Sequence, residues 1–362
     1  MKKSQQIVTA YIIHILQVLT KPQKKQALIY LLGLIWLIKF RSIRQIAAAF
    51  GHKKTDSLQH FMRHSPQAQQ QMQEASRECL SRRIDRRQRL LVIDDTADAR
   101  QGKHIEGLGV HHSGNGLVKG LCAVTAVLKT GPQTFAWAIR AYYPKKCCPV
   151  AEFQSKVQLA AEIIKETRRL LQGPVTVLID AWYTCAPILG LIIEAQWYFV
   201  AAIKQNRKIL VNGHLTYVRQ LAKGPRNYTT VRLSRNRPLR VARCLVVLPK
   251  VGTVVLLVCK QGKDVRFLIS NHLDLSTKEL VDLYRQRFAI EFFHKDIKQH
   301  LGFGETFVRS HTCVQTHWTL VVIAYNAIAL LSSTQWHGFR RKIHRFRLTV
   351  TQNRLKHLTN QI

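Results

Sequence analysis

Short, mostly apolar runs between residues 90 and 203 predict the strands of a buried sheet. Leu90–Ile93 and Val175–Ile179 are each bounded by polar residues, which is typical of strands covered on both faces. Periodic apolar positions between the runs predict helices. The predicted order is strand Leu90–Ile93, strands 117–128 and 134–140, helix 150–171, strand Val175–Ile179, helix 186–196 and strand 197–203. Strands that mix with helices in this way indicate an α/β core with a mixed sheet.

The chain on either side of this core has a different pattern. Residues 1–88 carry apolar positions at helical spacing, as at 7–19 and 26–38, and predict an all-α N-terminal domain. Residues 204–272 carry short β runs separated by turn clusters, and predict an all-β insertion. The predicted domains are 1–88 (helical), 89–203 and 273–334 (the two parts of the core), 204–272 (the insertion) and 335–362 (a basic C-terminal tail).

The charge of the chain suggests what these domains bind. Lys and Arg total 56 against 20 Asp and Glu, which gives a formal net charge of +36, while 46% of the residues are hydrophobic. A folded protein this positive is expected to bind a polyanion, and nucleic acid is the usual one. The alternatives are a membrane-surface protein and a ribosome-associated protein.

Several other classes of protein are excluded by the length of the apolar runs and by the spacing of the cysteines and histidines. No secretory signal is evident, and the longest apolar run, 27–37, is shorter than the roughly 20 residues of a membrane span. The eight cysteines include no C-x-x-C pair, so neither a zinc site nor a disulfide scaffold is indicated, and we expect a reducing, cytosolic compartment. The Gly- and His-rich stretch 102–116 predicts a polar loop. Its His104, His111 and His112 lack a carboxylate at metal-ligand spacing.

A pair of short helices is predicted at Arg41–Pro66. The first breaks at Gly51, and Thr55–Ser57 offers an N-cap for the second. This arrangement resembles a helix-turn-helix that contacts DNA, and the alternative is an ordinary helical hairpin. The outward basic residues of the pair would be Lys53, Lys54, Arg63 and His64. Gln67–Gln73 then predicts a polar link.

Three segments after the insertion complete the predicted secondary structure. Val281–Gln299 contains no Pro or Gly and predicts one continuous helix of about five turns. Val314–Leu331 predicts a strongly apolar helix that belongs to the core rather than to a membrane. Trp336–Ile362 is basic with interleaved aromatic residues, and it is either an arm that contacts DNA or a packed terminal helix.

Acidic residues are scarce, so each one in an apolar setting is informative. Asp94 and Asp95 end the first core strand, Asp180 ends the fourth, and Glu291 lies in the helix predicted at Val281–Gln299. If the two strands are neighbours, their carboxylates lie at adjacent strand ends, and a helix packed across that edge can add a third. Three carboxylates suit Mg²⁺ or Mn²⁺. Two such ions about 4 Å apart can activate a water or a 3′-hydroxyl and stabilise the leaving oxygen of a phosphodiester.

The predicted helix Val281–Gln299 carries two stripes of side chains. The packing stripe is Leu283, Ile290, Phe293 and Ile297. The second stripe, on one narrow face, is Tyr284, Arg287, Glu291 and Lys298, spaced by three, four and seven residues. A Glu between cations can be a surface ion-pair ladder. Alternatively, it is the third carboxylate of the site, and the cations beside it bind phosphates.

These motifs resemble those of bacterial insertion-sequence DDE transposases. The spacing Y-x2-R-x3-E-x6-K matches the Y-R-E-K signature of that family at Tyr284, Arg287, Glu291 and Lys298. The strand ending in IDDT, Ile93–Thr96, is similar to the family's first-Asp motif, and LIDAWY, Leu178–Tyr183, is similar to the second. The order of the motifs, the β insertion before the Glu and the helical N-terminal part also agree, so the resemblance covers nearly the whole chain.

The resemblance implies an RNase H-like catalytic core and cut-and-paste transposition. In that reaction, metal-dependent hydrolysis at the transposon ends is followed by strand transfer into target DNA. The implied metal ligands are Asp94, Asp180 and Glu291, which would bind two Mg²⁺ or Mn²⁺ ions. Asp95 is the alternative to Asp94, although the family spacing of the first Asp to the following Thr favours Asp94. The implied contacts to DNA phosphates are Tyr284, Arg287 and Lys298.

The resemblance also implies partners and a location. The partners would be double-stranded DNA at the inverted-repeat ends and at the target, with no role for a membrane. A homodimer is expected in the active complex, in the bacterial cytoplasm at the nucleoid.

Two other functions remain open from the sequence. A DDE-type nuclease, or a domesticated relative, would cut DNA without strand transfer, and a DNA-binding protein with an inactive catalytic fold would not cut at all. The intact acids favour the active enzymes. Beside Asp180, Trp182 and Tyr183 either stack on an unpaired base or pack beneath the carboxylate.

Overall fold

One mixed sheet carries all the strands that the structure describes. The structure is a computed structural model, and it describes residues 2–39, 41–51, 55–86, 88–102, 104–113, 116–223, 227–232, 238–305, 308–331 and 338–349. The strands are β1 Leu90–Ala99, β2 Gly109–Ser113, β3 Gly116–Thr130, β4 Gln133–Tyr142, β5 Thr176–Ile179, β6 Tyr198–Ala202, β7 Lys208–Val211, β8 His214–Tyr217, β9 Thr229–Arg232, β10 Pro238–Leu248, β11 Gly252–Gln261 and β12 Asp264–Ser270. Their order across the sheet is β2-β3-β1-β5-β6-β12-β11-β10-β7-β8, and β4 and β9 pair with β3 and β10.

Helices precede the sheet, connect its central strands and follow it. They are α1 Lys2–Gln17, α2 Lys21–Trp36, α3 Ile43–Ala49, α4 Asp56–His64, α5 Pro66–Ser81, α6 Lys156–Leu170, α7 Ala186–Glu194, α8 Thr277–Arg285, α9 Phe288–His300, α10 His311–Ala329 and α11 Phe339–Thr349. β1 runs parallel to β5 and β5 runs parallel to β6, and the remaining pairs are antiparallel. The prediction of an α/β protein with a mixed sheet is confirmed.

The apolar helix α10 lies between the N-terminal helices and the sheet, and nearly all of its residues are buried. On one side, the hydroxyl of Tyr30 on α2 hydrogen-bonds with Nδ1 of His317 at 2.9 Å. On the other side, Oδ1 of Asn326 accepts from the backbone N–H of Ala136 on β4 at 2.8 Å. The prediction of a core helix is therefore confirmed. None of the helices in the described ranges has the length and hydropathy that a membrane span requires.

A buried arginine joins the end of α2 to the segment after α9. Arg41 is 0% exposed, and its Nη1 contacts Oε1 of Glu305 at 2.7 Å. The guanidinium also donates to three backbone oxygens, those of Leu34, Ile38 and His300, at 3.1, 2.9 and 2.8 Å. Gly302 has a φ of +68°, and a Cβ there would lie 2.8 Å from Cδ of Arg41. Both its backbone conformation and the approach of Arg41 therefore require glycine at this position.

Two polar stretches are more regular than their composition predicts. Gln67–Gln73, predicted as a link, lies inside α5, where Ala68 and Met72 are buried at helical spacing. The stretch 102–116, predicted as a loop, contains β2, in which His111 pairs with Val118 of β3. In both cases the contacts with neighbouring elements outweigh the local composition.

Caps and turns set the helix boundaries more sharply than apolar periodicity does. The helix predicted at 150–171 begins only at Lys156, because Ser155 caps it and a 3₁₀ turn precedes the cap. The predicted pair of short helices is confirmed as α3 and α4, and Gly51 between them has a φ of +69°. Lys53 and Lys54, predicted on the outward face of the pair, lie outside the described residues.

The strands from β7 to β12 lie within residues 204–272 and continue the sheet of the core. β12 pairs with β6 in an antiparallel register that places Leu268 opposite Ala202 and Ser270 opposite Val200. The β runs that the sequence predicts here, Leu239–Val247, Val254–Cys259 and Arg266–Ile269, correspond to β10, β11 and β12, and the structure adds β7, β8 and β9.

The described part of the basic tail is a packed helix. Ile343 and Phe346 of α11 are buried. Nε of Arg347 donates to the backbone oxygen of Ile35 at 2.7 Å, and its Nη2 donates to that of His300 at 3.3 Å. For residues 339–349 the prediction of a packed terminal helix is confirmed, and residues 350–362 lie outside the described part of the chain.

Candidate active site

The register of two parallel strands brings the first two predicted carboxylates together. Ile93 of β1 lies directly opposite Ile179 of β5, and each is followed by an aspartate. Asp94 and Asp180 therefore occupy equivalent positions at neighbouring strands, as the sequence predicts if the first and fourth core strands are adjacent. That adjacency is confirmed, but the predicted end of the first strand at Asp94 and Asp95 is wrong, because β1 continues to Ala99 in register with β3.

A tight turn after β5 orients the Asp180 carboxylate. Its Oδ1 accepts hydrogen bonds from the backbone N–H groups of Trp182 at 2.9 Å and Tyr183 at 3.2 Å. The hydroxyl of Thr184 donates to the backbone oxygen of Asp180 at 2.7 Å. Short side chains that bond to the backbone after them stabilise turns of this kind. The IDAWYT segment thus fixes the carboxylate through its own backbone.

Asp94 and Glu291 are bridged by one guanidinium. Nη1 of Arg287 contacts Oδ2 of Asp94 at 2.9 Å, and its Nη2 contacts Oε1 of Glu291 at 2.6 Å. The contact with Glu291 is the four-residue ion pair expected of a surface ladder. The contact with Asp94 is not, because it crosses from the α8–α9 junction to β1. Nε of Arg287 is buried and has no hydrogen-bond partner.

The environment of Asp94 disfavours its charge. Burial, followed by the neighbouring charge of Asp180, raises the pKa of Asp94 to about 7, although the guanidinium of Arg287 opposes the shift. A carboxylate that is desolvated beside another carboxylate is stabilised by positive charge. The pair of aspartates therefore favours a cation in its vicinity.

Asp95 faces a different set of groups. Its Oδ2 contacts Nζ of Lys156 at 2.6 Å, and its Oδ1 accepts from the hydroxyl of Tyr183 at 3.1 Å. The thiol of Cys122 on β3 also donates to Oδ2, at 3.4 Å. Side chains alternate between the two faces of a strand, so the two adjacent aspartates have separate partners. Lys156 was missed by sequence reasoning, because its position in the first turn of α6 gives no sign of a contact with β1.

The predicted single helix at Val281–Gln299 is wrong, because the structure divides it into α8 and α9. The backbone N–H of Arg287 bonds to the oxygen of Tyr284 at 3.0 Å, and that of Ile290 bonds to the oxygen of Arg287 at 3.2 Å. These three-residue spacings tighten the chain into a 3₁₀-like turn. Glu291 consequently lies in the first turn of α9, where the positive end of the helix dipole favours a carboxylate.

The four residues of the predicted signature still face one region. Cζ of Arg287 lies 6.0 Å from the ring centre of Tyr284, whose pKa is raised by burial. Nζ of Lys298, in the last turn of α9, donates to the backbone oxygen of Ala97 on β1 at 2.9 Å. Since Arg287 meets Asp94 and Lys298 meets Ala97, α9 runs along β1.

A partly buried histidine connects α9 to the sheet. Nε2 of His294 lies 2.7 Å from Oγ1 of Thr125, which in turn donates to the backbone oxygen of Asp94 at 3.1 Å. Burial, followed by the charge of Lys298, lowers the pKa of His294 to about 3, so the imidazole is neutral near pH 7. The contact of His294 with β3 was not predicted from the sequence.

The three predicted acids line one cavity of about 960 Å³. The residues that line it are Asp94, Asp95, Gly109, Val110, His111, His112, Tyr142, Pro144, Lys146, Lys156, Asp180, Trp182, Arg287, Glu291 and His294. Trp182 is 55% exposed, with Nζ of Lys204 4.9 Å from its ring centre, whereas Tyr183 is fully buried. Packing beneath Asp180 is therefore confirmed for Tyr183 and wrong for Trp182, which faces the cavity.

The donor set fits a hard divalent cation by its chemistry. Carboxylate oxygens are the ligands that Mg²⁺ and Mn²⁺ prefer, and no cysteine lines the cavity. As the side chains stand, no group of three His, Cys, Asp or Glu residues in the described ranges could hold a metal ion. The guanidinium of Arg287 forms ion pairs with one oxygen of Asp94 and one oxygen of Glu291, which are two of the three predicted ligands.

Comparisons with known proteins agree with this geometry. Residues 14–238 match the family described as DDE superfamily endonuclease, and residues 154–327 match the Transposase DDE domain. The two matches together include both aspartate-bearing strands and α9. The chain is also 22% identical, over 286 residues, to the probable transposase for insertion sequence element IS701 of Microchaete diplosiphon, and the alignment covers 75% of this chain and 74% of that protein. Domains of this family generally depend on a divalent metal ion. The chain belongs to the DDE superfamily of endonucleases, and it is a bacterial insertion-sequence DDE transposase that acts on DNA.

Proposed function

We propose that this transposase frees the ends of its element by hydrolysis and joins them to target DNA by strand transfer. The observation that carries the proposal is the register of β1 and β5, which puts Asp94 beside Asp180 on an edge that Glu291 of α9 also faces. In this proposal Asp94, Asp180 and Glu291 bind two Mg²⁺ or Mn²⁺ ions. Bound there, the ions would supply the Lewis acid that activates a water or a 3′-hydroxyl.

Side chains in and beside the cavity would hold the DNA. Tyr284, Arg287 and Lys298 lie along the side of α8 and α9 that faces β1, and we assign them to phosphates near the cut. A guanidinium matches two phosphate oxygens at once, and an ammonium supplies a point charge. His294 and Thr125 would position α9 without contacting the substrate.

We also assign a role to each domain of the chain. Residues 89–203 and 273–334 would form an RNase H-like core, and 204–272 an insertion whose strands extend its sheet. Residues 1–88 would bind DNA through α3 and α4, with 335–362 as a basic tail.

A second cavity, of about 730 Å³, supports a DNA contact at α3 and α4. The charged and imidazole side chains that line it are Arg44, Arg63, His64, Arg309 and Glu106. The carboxylate of Glu106 accepts from the backbone N–H of His311 at 2.8 Å, so it is already engaged by the start of α10. The three exposed arginines leave a net positive surface that extends from the N-terminal helices to the segment before α10.

Purified transposase, incubated with Mg²⁺ and DNA that carries the inverted repeats flanking its gene, is expected to cut at the element ends and to join them to a target plasmid. Cleavage and joined products are separated on denaturing and native gels. Glu291→Gln is the matched inactive protein, and it should still shift the end DNA. Cutting without any joined product would assign the chain to the DDE-type nucleases.

Pairing of two ends predicts two protein copies in the complex that cuts. Light scattering of the protein–DNA complex measures this number, and a complex with one copy that still joins ends would contradict it. Such a reaction would take place at the bacterial nucleoid, on the cytoplasmic chromosome.

Lys298→Ala is expected to weaken DNA binding and to reduce the slope of log K against log salt by about one, because one phosphate contact is lost. Arg63→Ala should have the same effect through the second cavity. Both slopes are measured by fluorescence anisotropy between low and moderate salt. Lys278→Ala is the control, since that side chain is exposed on α8 and pairs with Asp282 at 2.7 Å. A slope unchanged in Lys298→Ala would remove that residue from the phosphate contacts.

A further inference from the structure

Arg287 occupies an unusual position for a side chain assigned to DNA. Its two terminal nitrogens contact Asp94 and Glu291 at 2.9 and 2.6 Å, and its side chain is only 14% exposed. The third nitrogen of the guanidinium, Nε, is buried without a hydrogen-bond partner. A buried donor that is left unpaired destabilises the folded state, so an acceptor that reaches all three nitrogens would bind this guanidinium better.

The two carboxylates that Arg287 holds are two of the three proposed metal ligands. A guanidinium bonded to a carboxylate oxygen uses the electron pairs that a divalent cation needs. Arg287 and the cation therefore compete for Asp94 and Glu291. A DNA phosphate is the alternative partner for the guanidinium, because it offers several anionic oxygens to the same donor fork.

We propose that Arg287 couples DNA binding to metal binding: it holds Asp94 and Glu291 in the free protein and exchanges them for a DNA phosphate, which frees both carboxylates for the divalent ion. The inference rests on the proposed ligand roles of Asp94 and Glu291. Arg287 is in this sense a positioning residue for the metal site. Coupling of this kind is reciprocal, so DNA and the metal ion raise each other's affinity by the same factor.

The local backbone allows this exchange. Arg287 lies at the junction of α8 and α9, where three-residue hydrogen bonds replace the regular helical ladder. A side chain at such a junction can be redirected without breaking the interior of either helix. Lys156, which holds Asp95 at 2.6 Å in the same cavity, starts a regular helix and contacts neither Asp94 nor Glu291.

The coupling is measured by titrating Mn²⁺ into the full-length protein and following free Mn²⁺ by electron paramagnetic resonance. Each titration is made with and without a duplex that ends at the transposon tip, so that no bond remains to be hydrolysed, and the duplex alone sets the baseline. For the parent protein we expect the duplex to raise Mn²⁺ affinity about tenfold. Arg287→Gln should bind Mn²⁺ about tenfold more tightly without DNA, and DNA should add little further.

Two variants separate this mechanism from a general effect of charge. Lys156→Gln removes a cation from the same cavity but not from the proposed ligands, so its Mn²⁺ affinity without DNA should change much less. Arg287→Lys keeps the charge and should retain part of the coupling to DNA. Equal gains in Arg287→Gln and Lys156→Gln, or a parent affinity that DNA does not change, would overturn the proposal.

Asp180→Asn distinguishes failure of the coupling from failure of the proposed metal site. Arg287 does not contact Asp180, so this variant should lose Mn²⁺ binding whether or not DNA is present. If Asp180→Asn binds Mn²⁺ as the parent does, the proposed ligand set is wrong. If it loses binding while Arg287→Gln behaves as the parent, the ligand set stands and only the coupling is refuted.

Discussion

Asp94→Asn is expected to slow cleavage of transposon ends by at least about 10³-fold, whereas Asp95→Asn should cut within about tenfold of the parent rate. A metal ion supplies several kcal/mol of transition-state stabilisation, and each 1.4 kcal/mol is about a factor of ten in rate. Asp94 faces Arg287 and lies beside Asp180, while Asp95 is bonded to Lys156 and Tyr183. Single-turnover cleavage of labelled end DNA gives both rates.

Folding must be measured beside these rates. Asp95→Asn leaves the ammonium of Lys156 without its carboxylate, so its melting temperature should fall, and the cleavage assay is run below that temperature. Asp282→Asn on exposed α8 is the matched control and should leave both the rate and the melting temperature unchanged. The reverse pattern, with Asp95→Asn inactive and Asp94→Asn active, would assign the first ligand to Asp95.

Arg41→Met is expected to lower the free energy of unfolding by about 3–5 kcal/mol. The substitution fills a similar volume but leaves Glu305 without its cation and removes the guanidinium donor from three backbone oxygens. Urea denaturation followed by circular dichroism measures the change. The loss should be accompanied by weaker cleavage, because Arg41 ties α2 to the C-terminal end of α9, and Glu291 lies in the first turn of that helix.

Arg44→Met provides the matched control, three residues further along the chain. Arg44 is exposed and makes no buried ion pair in the described structure, so its substitution should change stability by less than about 0.5 kcal/mol. Similar losses in both variants would mean that the buried hydrogen bonds of Arg41 contribute no more than its aliphatic stem.

The aspartates of the site could be predicted because a mostly apolar run that is followed by a carboxylate is visible in a sequence. At Asp180 that run ends where β5 ends, whereas β1 continues past Asp94 to Ala99 through its pairing with β3. Predicting that β1 and β5 are neighbours required only the assumption that the core has a common strand order. The choice between Asp94 and Asp95 rested on the family spacing of the first Asp to the following Thr, and the cleavage rates of Asp94→Asn and Asp95→Asn test it.

The partners of these acids were less accessible to sequence reasoning. Lys156 and Asp95 lie far apart in the chain, and nothing local to either indicates the contact. The break at Arg287 contains neither Pro nor Gly, so the periodicity of Val281–Gln299 predicts an unbroken helix. Helix propensity is a weak guide wherever a side chain makes strong contacts with another element, as Arg287 does with Asp94.

The fold was predictable to the level of its class and most of its core elements. Periodicity located α2, α10 and the central strands, because each buries a continuous face. The strands β7, β8 and β9 have only four residues each, β8 and β9 are largely polar, and the glutamine-rich start of α5 has few apolar residues. Their regular structure comes from pairing and packing with elements remote in sequence.

The position of α10 has a consequence for how the chain folds. Its buried face covers α1, α2 and α5 on one side and β4 on the other, yet it is synthesised after the sheet and α9. The apolar surface of α1, α2 and α5 that α10 covers therefore stays exposed until the last third of the chain has left the ribosome. Contacts between segments so distant in sequence make folding slow. Until they form, the exposed apolar faces of the nascent N-terminal helices favour aggregation.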